Sequence, residues 1–136
     1  MKKKILIVED NPRNMRLFQI ILRGGDYTLL KATDGEEALR VAVSEQPDLI
    51  LMDIKLPKMN GLEVTMKLRQ NPAFRHTPII AVTAYAMKRD RERVIESGCD
   101  AYLSKPVRPG ALKEIVGKAL LRRQKDNLSL DEVGCD

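Results

Sequence analysis

The chain has 136 residues, 43% hydrophobic and 32% charged, enough for one domain with a buried core and too few for two cores joined by a linker. No apolar run approaches the roughly 18–20 residues a membrane span needs, and the basic start Met1-Lys2-Lys3-Lys4 precedes only four apolar residues before Glu9, too short for a secretory leader. Cys99 and Cys135 are the two cysteines and lack metal-type spacing, which argues against a disulfide scaffold or structural zinc and for a cytoplasmic protein.

The net charge of +5 is unevenly spread. Residues 108–125 hold six basic side chains against Glu114 alone, whereas residues 126–136 hold four acidic ones and no basic one. The run Lys88-Arg89-Asp90-Arg91-Glu92-Arg93 mixes signs and reads as a solvated helix face. With no Trp, three Tyr and two Phe, the chain has no stripe of interleaved basic and aromatic residues. Direct nucleic-acid binding is therefore not expected, the last helix being the place it would begin.

In chain order, the first apolar run is Ile5–Val8, short and β-branched like a strand buried on both faces. Asn11-Pro12 then supplies an N-cap and a proline at the first helical position, with Met15, Phe18 and Leu22 on one face and Gly24-Gly25 as the stop. A second strand at Tyr27–Leu30 precedes a helix capped by Asp34, carrying Ala38 and Ala42 and ending near Pro47. The third strand, Leu49–Met52, leads through a turn at Pro57 to a helix opened by Asn60-Gly61 and ended by Asn71-Pro72, with Gly61 expected at positive φ. Ile79–Val82 is the fourth strand. Its helix runs from about Ala86 to Ser97 with Met87, Val94 and Ile95 as its large apolar residues, so it is expected to be loosely anchored. A short strand at Tyr102-Leu103 and a helix after Pro109 with Leu112, Ile115, Val116, Ala119 and Leu120 complete the pattern. Five strand–helix repeats predict an α/β fold, a mainly parallel sheet covered on both faces. Residues 124–136 read as a polar, acidic, disordered tail, with no output domain expected after the fifth helix.

The polar residues just past each apolar run carry the chemistry. Strand one ends in Glu9-Asp10, strand three in Asp53, strand four in Thr83 and strand five in Lys105-Pro106. In an open parallel sheet these carboxyl ends share one edge, where such folds bind ligands. Three carboxylates brought together repel, and a hard, oxygen-seeking cation such as magnesium (manganese being the alternative) relieves that. One carboxylate can then attack phosphorus, lysine supplies a point charge for a phosphoryl oxygen and threonine a hydrogen bond. The chemistry inferred is phosphoryl capture on Asp53.

These residues resemble the receiver domain of two-component response regulators over roughly residues 3–123. The resemblance rests on Ile5-Leu6-Ile7-Val8-Glu9-Asp10-Asn11, Leu49-Ile50-Leu51-Met52-Asp53 with Leu56-Pro57 and Asn60-Gly61, Ala81-Val82-Thr83-Ala84, and Ser104-Lys105-Pro106. Asn14-Met15-Arg16-Leu17-Phe18 and Ser97-Gly98-Cys99-Asp100-Ala101-Tyr102 are most similar to DivK-type single-domain regulators and receivers of hybrid kinases. The resemblance implies a flavodoxin-like (βα)5 fold with strand order 2-1-3-4-5. It implies that Asp53 accepts phosphate from a histidine kinase or histidine phosphotransfer protein. It implies magnesium held by Asp10, Asp53 and the main-chain carbonyl of Lys55, with Glu9 acting through water. Thr83 and Lys105 would grip the phosphoryl group, Lys105-Pro106 would be a cis peptide, and Thr83 with Tyr102 would switch a protein-binding surface formed by helix four, strand five and helix five. The implied protein is a monomer or weak dimer that signals rather than turns over a substrate. Two departures bear on phosphate lifetime. Lys55 adds a cation beside the site, and the bulky Tyr85 would screen an acyl phosphate from water, so a long-lived phosphorylated form is expected.

Taken singly, each residue has a plainer reading: Glu9-Asp10 as a helix cap, Asp53 as a loop carboxylate, Lys105 as a solvated lysine, Tyr102 as a core aromatic. Capping does not explain a hydroxyl and an ammonium on the same edge. His76 reads as a surface residue, Cys99 as packing, Cys135 as a tail thiol, and Met15, Met52, Met59, Met66 and Met87 as core or gap filling. Alternatives are an isolated receiver of a hybrid kinase or multidomain regulator, an adaptor that keeps only the fold, and a haloacid-dehalogenase-like phosphatase. The last needs its nucleophile in a D-x-D motif on the first strand, and Asp53-Ile54-Lys55 lacks the second Asp.

Overall fold

The computed structural model describes residues 2–84 and 88–126. Strands β1 (Lys3–Val8), β2 (Tyr27–Ala32), β3 (Leu49–Asp53), β4 (Ile79–Thr83) and β5 (Ala101–Ser104) alternate with helices α1 (Pro12–Leu22), α2 (Gly35–Glu45), α3 (Gly61–Arg69), α4 (Lys88–Glu96) and α5 (Pro109–Asp126). The strands form one parallel sheet in the order β2-β1-β3-β4-β5, the flavodoxin-like order the resemblance implies. The order reverses between β1 and β3, and their carboxyl ends therefore border the crevice of the sheet.

Side chains alternate across the pleat, so each central strand feeds two cores. Leu6, Val8, Ile50, Met52 and Ala81 pack on one face with Ala38, Ala42, Val64, Leu68 and Val94, from α2, α3 and α4. Ile5, Ile7, Leu49, Leu51, Ile80 and Val82 pack on the other with Met15, Phe18, Leu22, Leu112, Val116 and Leu120, from α1 and α5. All five short apolar runs fit strands buried on both faces by sequence, which holds for β1, β3 and β4, whereas β2 and β5 are only partly buried. Both are edge strands, and an edge strand lacks a neighbour on one side.

The helix starts follow the predicted caps. Asn11 Oδ1 accepts from the N–H groups of Arg13 and Asn14 (2.9 and 3.0 Å), Asp34 Oδ1 from Glu37 (2.8 Å) and Asn60 Oδ1 from Glu63 (2.9 Å). A short 3-10 turn, Pro72–Phe74, was not predicted; it buries Phe74 in the core that also holds Ile79 and Ala81. Helix α5 runs on to Asp126, past Gln124 where the sequence reading starts the tail. Tyr85, Ala86, Met87 and Cys135 lie outside the described residues.

Candidate functional site

The polar residues that end the strands converge. Pairing with β2 continues one residue beyond β1, Glu9 N–H donating to Ala32 O at 3.0 Å, which carries Glu9 into the crevice fully buried while Asp10 stays exposed. Asp53, the last residue of β3, is 3% exposed. One carboxylate oxygen from each of Glu9, Asp10 and Asp53 lies within 4.8 Å of the others. Lys105 enters from beyond β5, 96 residues from Glu9 in the chain. Its Nζ stands 3.1 Å from Glu9 Oε1 and 3.4 Å from Asp53 Oδ2. Its N–H donates to Thr83 O at 2.8 Å, and its peptide bond to Pro106 is cis. Thr83 is buried at the end of β4. The main chain fixes the acids further: Asn11 N–H donates to Glu9 Oε2 (3.1 Å) and Lys55 N–H to Asp53 Oδ1 (3.2 Å).

Burial pushes the Asp53 carboxyl up to about 7, helped by its hydrogen bond to Glu9 and that residue's charge, with Lys105 and the Lys55 N–H pulling the other way. Burial alone would lower the Lys105 ammonium, but the hydrogen bond to Glu9 and the charges of Asp53 and Glu9 outweigh it and hold lysine in its charged form. A carboxyl that retains its proton near neutrality despite a lysine 3.4 Å away is short of positive charge. The donor set is all oxygen, so a small divalent cation fits it.

The loop after Asp53 corrects one expectation. Positive φ falls on Lys58 (68°), not on Gly61, and Met59 N–H donates to Pro57 O at 2.7 Å across a three-residue turn. Gly61 is needed for close approach instead. Its N–H donates to Ile54 O at 2.8 Å, and a Cβ there would run into the carbonyl oxygen of Asp53 and sit 2.9 Å from Met52 Cγ. The start of α3 is thereby seated on the backbone of Asp53.

Two arginines were missed by sequence reasoning. Arg69, at the end of α3, donates from Nε to Gly98 O (2.9 Å), from Nη1 to Phe74 O and Thr77 O (2.5 and 2.8 Å) and from Nη2 to Asp100 Oδ2 (2.8 Å). Asp100 Oδ2 also accepts from Ile79 N–H at 2.8 Å. Three of the four acceptors of Arg69 are backbone carbonyls, which no residue pattern announces. Arg91, on α4, has its guanidinium carbon 5.4 Å from the centroid of the Tyr102 ring, and that ring is half-buried against the α2–α4 core.

The remaining readings divide. His76 is exposed, and Cys99 is buried 3.7 Å from each of the Thr65 and Ser97 hydroxyls, its thiol pKa pushed up by that burial. Met15 and Met52 are core and Met59 is half-buried, but Met66 is 53% exposed on the outer side of α3, not a core filler. Leu62, Val64 and Leu68 supply the apolar residues of that helix that pack inward.

This edge-bound cluster on a 2-1-3-4-5 sheet is the arrangement of a phosphoryl-accepting signalling domain, and comparison with known proteins agrees. Residues 5–117 match the response regulator receiver domain family, and the chain belongs to it. The polar-differentiation response regulator DivK of Brucella anthropi is 50% identical over 107 residues, covering 79% of this chain and 87% of that protein. Among solved structures, the receiver domain of a sensor histidine kinase from Pseudomonas aeruginosa, with a magnesium ion coordinated in its active-site cleft, is 37% identical with a TM-score of 0.82, covering 88% of this chain and 98% of that one. The chemotaxis response regulator CheY4 of Vibrio cholerae is 26% identical with a TM-score of 0.83, covering 88% and 99%. The protein is thus a DivK-like receiver of the two-component phosphorelay.

Proposed function

We propose that Asp53 is the phosphoacceptor of a receiver unit spanning residues 3–123. The phosphodonor is a histidine kinase or histidine phosphotransfer protein, and the result of phosphorylation is a changed protein-binding face on α4, β5 and α5. The observation that carries this reading is the buried Asp53 carboxyl with the Lys105 ammonium 3.4 Å from it and Glu9 and Asp10 alongside. An Asp53 oxygen forms its bond to phosphorus as the P–N bond of phosphohistidine breaks, and the imidazole nitrogen keeps the electron pair. Lys105 meets the charge on the phosphoryl oxygens and the Thr83 hydroxyl donates to one of them. Glu9, Asp10, Asp53 and the main-chain carbonyl of Lys55 would hold magnesium, or manganese in its place. The bound ion supplies the positive charge that keeps Asp53 ionised and offsets charge on the transferring group. Thr83 and Tyr102 relay occupancy of the site to the output face. No other turnover is required of the chain.

The same reading has the protein act in the cytoplasm, as a monomer or weak dimer. No helix among the described residues is long and apolar enough to cross a membrane. The test is labelling with acetyl phosphate. The natural chain takes up one phosphoryl group with magnesium and none with a chelator, and Asp53→Asn takes up none. Label that persists in Asp53→Asn, or that ignores magnesium, would sink the reading, and sustained hydrolysis of phosphomonoesters would favour the phosphatase.

A further inference from the structure

We propose that Arg91 is a positioning residue for the switch: its guanidinium holds the ring of Tyr102 against α4 and so sets how readily phosphorylation relocates that ring. This rests on the reading of Tyr102 as the moving residue.

The placement of α4 makes the contact matter. Val94 is buried in the core, whereas Arg91, Glu92, Arg93, Ile95 and Glu96 are exposed. The carboxyl end of the helix is pinned, since Ser97 Oγ donates to Val94 O at 2.6 Å and Arg69 holds Gly98 O and Asp100. Arg91 lies three residues before Val94, about one turn toward the opposite end, and there meets β5 through the Tyr102 ring. Tyr102 stands opposite Ala81, and two residues on in both strands Ser104 stands opposite Thr83. Tyr102 and the buried Thr83 of the site therefore share one face of the sheet, the face that α4 covers. Among the described residues, Arg91 faces the ring and makes no ion pair with Glu92 or Glu96, although all three line one groove with Ile95. A flat guanidinium near an aromatic ring gains from both charge and stacking. At an exposed position such a contact favours the paired arrangement roughly two- to fivefold. That is large enough to tune a two-state equilibrium and too small to lock it.

The experiment uses the full chain carrying 3-fluorotyrosine, with the three resonances assigned by single Tyr→Phe variants, and magnesium with beryllofluoride as the phosphoryl mimic. In the natural chain the Tyr102 resonance moves when the mimic is added. Without the mimic, Arg91→Gln should shift the Tyr102 equilibrium roughly two- to fivefold toward the loaded position, and Arg91→Lys less than that. The folding equilibrium of Arg91→Gln should weaken by no more than that same two- to fivefold, so the domain stays folded. A Tyr102 resonance that answers the mimic yet has the same position in Arg91→Gln and the natural chain would overturn the role of Arg91 alone. A Tyr102 resonance that ignores the mimic would overturn both that role and the switch reading, while uptake of label at Asp53 would still stand or fall separately.

Discussion

Helices α1 and α4 each follow a strand that ends at the acidic crevice, but they are held very differently. Helix α1 has eleven residues and buries Met15, Phe18, Ile21 and Leu22 against the sheet, and its capping residue Asn11 also donates its N–H to Glu9. Helix α4 has nine residues, and among its described side chains Val94 alone is buried, while Ile95 is 43% exposed. Burial of apolar surface is the main stabilising term, at roughly 25 cal/mol per Å2, so α1 draws more of it than the described part of α4 does. A segment with few buried apolar contacts opens at low free energy. Asp53 therefore sits on the firmly packed centre of the fold, and α4 is the more loosely held helix.

Truncation should break that comparison most visibly if it is wrong. Phe18→Ala removes a fully packed ring from the α1 side and should cost about 3–5 kcal/mol in urea unfolding. Ile95→Ala on α4 should stay within about 0.5 kcal/mol. Similar losses from the two would show that α4 is as firmly seated as α1.

Arg69 offers a way to sharpen the comparison, because it ties down the carboxyl end of α4. Arg69→Met takes a donor from three carbonyls and leaves Asp100 Oδ2 with the Ile79 N–H alone, and should cost roughly 2–4 kcal/mol. Amide hydrogen exchange from Val94 to Cys99 should accelerate beyond what the global loss accounts for, with α1 changing only by that global amount. Uniform acceleration throughout would make Arg69 a general stabiliser and not the anchor of α4.

The two regions also differ in how much of them could be read from the residues alone. Helix α1 was legible apart from the burial of Ile21, because its cap, N1 proline and apolar spacing are local signals. The site was legible as a set, since Glu9, Asp10, Asp53, Thr83 and Lys105 all end strands and a parallel sheet brings such ends together. The contacts that define α4 were not. Arg69 acts on carbonyls of distant loops, and Arg91 meets a ring eleven residues on in another element. Gly61 was misread for a physical reason: glycine serves either unusual φ or close approach, and only the packing of α3 on Asp53 tells which. Met66 shows the same limit, because three other apolar residues of α3 already fill its inner face.

The last effect comes from the acidic edge and is visible through pH. Asp53 titrates near 7 in the folded protein against 3.8 for an ordinary carboxyl. Below 3.8 both folded and unfolded chains hold the proton, and the contribution to stability is fully present. It is lost as pH rises through 7, where the folded chain must carry a buried charge that the unfolded chain carries in water. Relative to Asp53→Asn, the metal-free natural chain should therefore lose up to about 4 kcal/mol between pH 4 and pH 8, and magnesium at pH 8 should restore most of it to the natural chain and little to the variant. Asp53 lies on a central strand, so this penalty belongs to global unfolding, which limits exchange in α1. Local opening of α4 leaves Asp53 in place and should not feel it. The protection gap between α1 and α4, corrected for intrinsic exchange, should then widen as pH falls from 8 to 5 in the natural chain and stay constant in Asp53→Asn. A gap that is constant in both would mean that α4 opens only with the whole domain, and the contrast between the two helices would be one of contacts without energetic consequence.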